Sequence, residues 1–409
     1  MPKVSERGRD IQASAIRKLI PYAEEAKKRG VKVYHLNIGQ PDIKAPAAAL
    51  EALKKIDKDA IIEYSHSAGN ISYRKKLAES YQKIGINVTA DDILITTGGS
   101  EALTLAFMTT LNEGDEILVP EPFYTNYNSF AFQTNVKIVP ITSRIENDFA
   151  LPPIEEFERV INKRKRAGAI VKGIIICNPN NPTGYLYSKA ELERLAKLVK
   201  DYNIFMYSDE VYREFCYDGR IHFSAMQLGI DRNVVMIDSV SKRYSMCGAR
   251  VGCLVSKNTN LIATALKFAQ ARLCPPFFGQ IAAEAALDIP EEEKVKYFED
   301  VYEEYTKRRN FMVSELNKIP GVYCPNPKGA FYSIVRLPIN DSNHFAQWLL
   351  EEFEYNKQTV MVAPATGFYN TPDLGKNEVR IAYVLKIEDL KNAIECLKIA
   401  LEKYPYKTI

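Results

Sequence analysis

From about residue 90 to residue 280 the chain alternates short apolar, β-branched runs with helical stretches, and this alternation restricts its fold more than any other feature. Ile93-Leu94-Ile95-Thr96, Glu116-Ile117-Leu118-Val119, Val136-Lys137-Ile138-Val139, Ile174-Ile175-Ile176-Cys177, Ile204-Phe205-Met206-Tyr207, Val234-Val235-Met236-Ile237 and Val251-Gly252-Cys253-Leu254-Val255 read as strands. Helices are expected at Ser100 to Thr110 and Lys189 to Tyr202. Continuous apolar runs suit strands covered on both faces, as in a largely parallel sheet flanked by helices.

A second texture begins near Pro290. Val295, Phe298, Tyr302, Tyr305, Arg309, Met312, Leu316 and Ile319 recur at steps of three and four, which predicts one long amphipathic helix with this stripe in the core. Glu291-Glu292-Glu293 at its start suits the helix dipole, and Pro320-Gly321 is expected to end it. Beyond it, strands are expected at Ala330 to Arg336, Val360 to Val362 and Val379 to Tyr383. Helices at Ser342 to Phe353 and Ile387 to Leu401 alternate with them, giving a smaller α/β unit. A chain of 409 residues exceeds the ~250–300 at which single cores stop growing, so two domains are expected.

Charge is balanced at +3, which argues against nucleic acid or an anionic membrane as partner. No apolar run approaches the ~20 residues of a membrane span, and Met1-Pro2-Lys3-Val4-Ser5-Glu6-Arg7 lacks an apolar signal core. The seven cysteines form no Cys-x-x-Cys, and the four histidines lie at no metal-ligand spacing. Reduced thiols in a cytoplasmic protein without a metal site are expected.

The chemistry concentrates in Ser239-Val240-Ser241-Lys242-Arg243-Tyr244-Ser245-Met246-Cys247-Gly248-Ala249-Arg250, between two strands. Hydroxyls and a guanidinium suit a phosphate. A lysine beside a cation loses its proton more readily and attacks a carbonyl. Together they describe a lysine that condenses with a phosphorylated aldehyde, pyridoxal phosphate. Four other strand ends carry groups this cofactor needs. Gly98-Gly99-Ser100 opens a helix whose free amides suit the phosphate. Asp209 can hold a pyridine nitrogen protonated, and Tyr212 lies three residues on. Asn181 follows another strand in Asn178-Pro179-Asn180-Asn181-Pro182-Thr183-Gly184, and Tyr124 a further one. Each has a plainer explanation as a cap, a turn or a packed aromatic. Their coincidence at five strand ends favours the cofactor.

On these motifs the chain resembles the class I/II pyridoxal-phosphate aminotransferases of fold type I, close to the bacterial aspartate aminotransferase group, over roughly Asn37 to Ala400. The resemblance implies a large domain, residues 45–285, with a mostly parallel seven-stranded sheet. Residues 1–44 and 286–409 would form the small α/β domain. Lys242 would be the covalent attachment point and proton carrier, and Asp209 would pair with the ring nitrogen. Asn181 and Tyr212 would hold the ring oxygen, and Tyr124 would stack on the ring. Gly99, Ser100, Ser239, Ser241 and Arg250 would hold the phosphate. Tyr64 would reach the phosphate of a partner subunit, which implies a homodimer with shared sites. Gly39, in Leu36-Asn37-Ile38-Gly39-Gln40-Pro41-Asp42, and Arg380 would bind the substrate carboxylate. Two places depart from the family pattern: Pro364-Ala365-Thr366-Gly367-Phe368, and Gln270-Ala271-Arg272-Leu273-Cys274-Pro275-Pro276. Arg272 is open between reading a second carboxylate and a surface or interface role.

The implied reaction is ping-pong transfer of an amino group between an L-amino acid and a 2-oxo acid, with the aspartate/glutamate type among the open donor classes. A free lysine titrates near ~10.4, and bringing it to neutral pH takes roughly 4 kcal/mol. Arg250, the protonated ring and desolvation are the expected sources. The alternatives are a carbon–sulfur β-lyase on the same scaffold and a non-enzymatic regulatory module that binds the cofactor. The second lacks an added DNA-binding unit here.

Overall fold

The computed structural model describes residues 2–12 and 14–408; Met1, the first residue of the charged N-terminal stretch, and Ile409, the outer limit of the expected small domain, lie outside the described residues. The expected strands form one seven-stranded sheet: β2 (Ile93–Thr96), β3 (Glu116–Glu121), β4 (Lys137–Thr142), β5 (Val171–Cys177), β6 (Phe205–Asp209), β7 (Val234–Ser239) and β8 (Gly252–Val255). β1 (Lys32–His35) precedes them in the chain. The sheet order is β2-β8-β7-β6-β5-β3-β4, parallel except at β8, which opposes both neighbours.

Alternate residues explain the apolar runs. Ile174 and Ile176 pack into one buried cluster, while Ile175 points into another on the opposite face. Met206 and Val234 face the first; Tyr207 and Val235 face the second. Both faces are covered, so neither tolerates a polar alternation. The helix Lys189–Tyr202 keeps the expected limits. Ser188 and Glu191 form a capping box at its start, and Asn203 ends it in a left-handed conformation at φ 49°.

β1 pairs in parallel with β10 (Gln358–Met361). A three-stranded antiparallel sheet joins β11 (Ala363–Pro364), β12 (Glu378–Ala382) and β9 (Tyr332–Arg336) in the order β11-β12-β9. β9 starts two residues later than expected because Ala330 takes a left-handed φ of 54°.

The long helix runs Glu291–Leu316 and stops short of Pro320. Its expected core stripe needs correction at one end. Val295 and Tyr302 are exposed, because the first turns overhang the body of the protein. Arg309 is buried as the stripe predicts, paired with Asp218, and Arg308, off the stripe, is buried beside it, held by Asp42 and Glu304. Among the described residues no helix is long and apolar enough to cross a membrane.

Candidate active site

The sheet topology decides where chemistry collects. β2, β3, β5, β6 and β7 all end at one edge, and β8, running the other way, starts there. A cavity of about 450 Å³ opens at that edge. Ligands gather at this position in open α/β sheets.

Lys242 does not sit in an irregular loop, as its position between two strands suggested. It lies on a single helical turn, Val240–Arg243, that begins directly after β7. Ser239 starts the turn: its Oγ accepts from the Ser241 amide at 3.0 Å and lies 2.7 Å from Ser241 Oγ. The turn aims Lys242 at the cavity, where Nζ donates to the Gly39 carbonyl at 2.8 Å. Burial lowers the pKa of this amine. Cys247, with Sγ 3.9 Å away, opposes the shift, while Arg380 and Arg250 reinforce it.

The helix after β2 begins at Gly98, two residues earlier than expected, so Gly99 and Ser100 occupy its first turn. Arg250 lies against that turn. A Cβ on Gly98 would come within 2.5 Å of Arg250 Nη2, so only a glycine leaves room for the guanidinium. Arg250 donates to the Cys247 carbonyl at 3.0 Å and engages no carboxylate among the described residues. A helix N-terminus beside an arginine without an anionic partner is electrically suited to an anion.

On the other side of Lys242, Asp209 ends β6. Burial pushes its carboxyl pKa up to about 6, against the pull of the Tyr127 hydroxyl, which donates to Oδ2 at 2.8 Å. Tyr124 packs edge-on against Tyr127 with 5.5 Å between ring centres. Asn181 links two neighbours: Nδ2 donates to the Tyr212 hydroxyl at 3.4 Å, and Oδ1 accepts from Arg380 at 2.9 Å. Arg380 also donates to the Asn37 carbonyl and lies 4.5 Å from the Tyr332 ring centre and 4.9 Å from that of Phe368. Its Nε has no partner among the described residues. Above it, a Cβ on Gly39 would fall 1.7 Å from the Tyr332 hydroxyl. Position 39 therefore admits only glycine, and its carbonyl reaches both Lys242 and Tyr332.

Gly39, Gly99, Ser100, Tyr124, Asn181, Asp209, Tyr212, Ser239, Ser241, Lys242, Arg250 and Arg380 all line this cavity. Tyr64 does not; its side chain is 78% exposed and stands outside. Arg272 is committed elsewhere. It pairs with Glu101 at 2.9 Å and donates to the Ser67 and Ile95 carbonyls, so it ties loops together outside the cavity. Tyr127, Tyr332, Asn37 and the segment carrying Ser14, Ile16 and Arg17 were not foreseen. Only Tyr127 carried a signal, standing three residues past Tyr124 in the helix Asn126–Gln133.

The family model described as Aminotransferase class I and II matches residues 31–397. An aspartate aminotransferase of Pyrococcus horikoshii is 33% identical over 402 residues, 98% of this chain and 97% of that protein. Among solved structures, an aspartate aminotransferase from Thermus thermophilus with maleate superposes with a TM-score of 0.88 at 28% identity, covering 98% of this chain and 100% of that one. An alanine aminotransferase from Pyrococcus furiosus gives 0.87 at 31% identity, with the same coverage.

Proposed function

This chain belongs to the class I and II aminotransferases, fold type I enzymes that use pyridoxal phosphate, and from that premise we propose that Lys242 is its attachment point for the cofactor and its proton carrier. The observation that carries this reading is the convergence at one sheet edge of a buried amine with a lowered pKa, an anion-ready helix N-terminus and a buried acid with its pKa near 6. The donor set fits the cofactor. Ser100, Ser239, Ser241, Gly99 and Arg250 would hold the phosphate, Asp209 would accept from the ring nitrogen, Asn181 and Tyr212 would hold the ring oxygen, and Tyr124 would lie against the ring. When bound, pyridoxal phosphate supplies an aldehyde that condenses with amines and a ring that withdraws electrons.

The protein's own contributions are positional and electrostatic. Arg380 holds the substrate α-carboxylate with two parallel hydrogen bonds, a geometry lysine does not reproduce. Gly39 allows that carboxylate a close approach. Lys242 would take the proton from the substrate Cα. Burial keeps this amine poised to do so, because its charged form is poorly solvated in the cavity. Tyr332 and Phe368 keep water from Arg380.

An acidic amino donor is the first substrate class to test, since relatives named for aspartate predominate among those reported above. The large domain spans 45–285, which contains the whole seven-stranded sheet. The small domain takes 1–44 and 286–409, which supply both smaller sheets. The working unit is a cytoplasmic homodimer. Ile61, Ile62 and Tyr64 are exposed apolar side chains close together in the chain, and such a patch suits a subunit interface.

The test is borohydride reduction of the cofactor-loaded protein followed by peptide mapping. A label on Lys242, and loss of label and transamination in Lys242→Ala, are the expected results. A label at any other residue ends the assignment.

A further inference from the structure

The segment Pro364-Ala365-Thr366-Gly367-Phe368, which departs from the family pattern by carrying Ala365 where glycine is usual, also holds a glycine of its own, Gly367. Its backbone takes no left-handed φ, so the turn does not demand glycine. A contact does. A Cβ at position 367 would lie 2.2 Å from the Cβ of Ala15, so this glycine is the seat of the N-terminal segment. Other groups fix the segment on either side. The Ile16 side chain packs against the buried cluster that contains Phe149, Ala365 and Phe368, and its carbonyl accepts from Asn37 at 3.3 Å. Lys18 donates to Asn343 at 2.6 Å, and Asn343 donates to Thr366 at 2.9 Å. The backbone is closed into a turn by the Arg17 and Lys18 amides, each 3.0 Å from the Ser14 carbonyl.

Between these anchors stands Arg17. It lines the same cavity as Lys242 and Arg380, and its charge is felt at the Tyr124 hydroxyl. Among the described residues no hydrogen bond or ion pair engages its guanidinium. The loop 364–368 thus serves two of the cations that line the cavity: Phe368 lies against Arg380, and Gly367 seats the segment that carries Arg17.

We infer that Arg17 is a specificity-determining residue that takes the distal carboxylate of dicarboxylic amino acids and 2-oxo acids, while Arg380 takes the α-carboxylate. This rests on the aminotransferase reading above. An exposed guanidinium on an anchored segment of the cavity wall, with its own donors unengaged, gives a second carboxylate a bidentate partner. A small neutral side chain gains nothing from it.

The test compares kcat/KM for aspartate with kcat/KM for alanine in the cofactor-loaded enzyme, alongside calorimetric binding of succinate and of propionate. Arg17→Met should lower the aspartate-to-alanine ratio about five- to tenfold, the size of one charge contact at a site that water reaches. It should weaken succinate but not propionate, and the remaining preference should lose its salt dependence. Gly367→Ala, which touches no ligand, should shift the ratio the same way by unseating the segment. Adding Ala15→Gly to that variant removes the clash and should restore the ratio. A ratio within twofold of wild type in Arg17→Met, with transamination intact, overturns this inference alone. A wild-type chain that labels at Lys242 with no donor converted overturns the reading beneath it as well.

Discussion

Two groups of buried arginines lie behind the same sheet edge and follow opposite rules. Arg213 and Arg243, 5% and 7% exposed, both donate to the carboxylate of Asp238, which also accepts from Tyr81 at 2.8 Å. Glu214 lies 3.1 Å from Arg243. Arg380 is buried as deeply, at 2% exposed, yet its acceptors are the neutral oxygens of Asn181 and Asn37. Burial opposes ionisation of Asp238, but the two arginines hold its pKa below the usual carboxylate range. Burial instead lowers the pKa of Arg380, with no carboxylate beside it. The first cluster contains its own anion and serves the fold. The second lacks one, and an uncompensated buried cation is retained where a ligand completes it.

The largest effect should come from breaking the compensated cluster. Asp238→Asn leaves two buried guanidiniums without their anion and should cost about 3–5 kcal/mol of folding stability. Urea denaturation of the cofactor-free protein measures it. A loss under ~1 kcal/mol would erase the distinction between the clusters. Arg380→Met is the opposite case. It should lower kcat/KM about 10²-fold, roughly 3 kcal/mol, as expected for one partner of a buried charged pair. Stability without ligand should hold or rise, and a fall of several kcal/mol would show that Arg380 serves the fold after all.

A third prediction concerns Asp209, an acid between the two clusters. Its folded pKa near 6 stands above its unfolded value of 3.8, so folding favours its protonated form. That stabilisation is complete below the unfolded pKa and is lost as pH rises through about 6. The cofactor-free protein should lose about 2–3 kcal/mol over this window, and Asp209→Asn should flatten the slope. Glu214→Gln should have the smallest effect, below about 1 kcal/mol, because Glu214 keeps contact with solvent and its partner retains Asp238. A larger loss would move Glu214 into the compensated core.

The floor of the site was legible in the sequence because strand ends are. Lys242, Asp209, Asn181 and Arg250 each stand within a few residues of an apolar run, and a parallel sheet brings such positions to one edge. The partners that orient them were not legible. Tyr332 and Asn37 act through the direction of a side chain or a carbonyl, which no spacing records. Periodicity found the helix Glu291–Leu316 but could not tell which turns overhang the body, so Val295 and Tyr302 were misplaced. The Arg272 position was noticed, and only its bonds to three partners, Glu101, Ser67 and Ile95, show where its donors go.

The reversed strand β8 has a consequence for how the protein is made. It lies between β2 and β7, and among the described residues its 252–255 are the only strand link from β2 to the rest of the sheet. Gly98 and Arg250 therefore meet only after the chain has been synthesised past residue 255. On the proposed reading, a nascent polypeptide shorter than that lacks the contact between Gly98 and Arg250 that would grip an anion, so capture of the cofactor would follow translation of more than half the message.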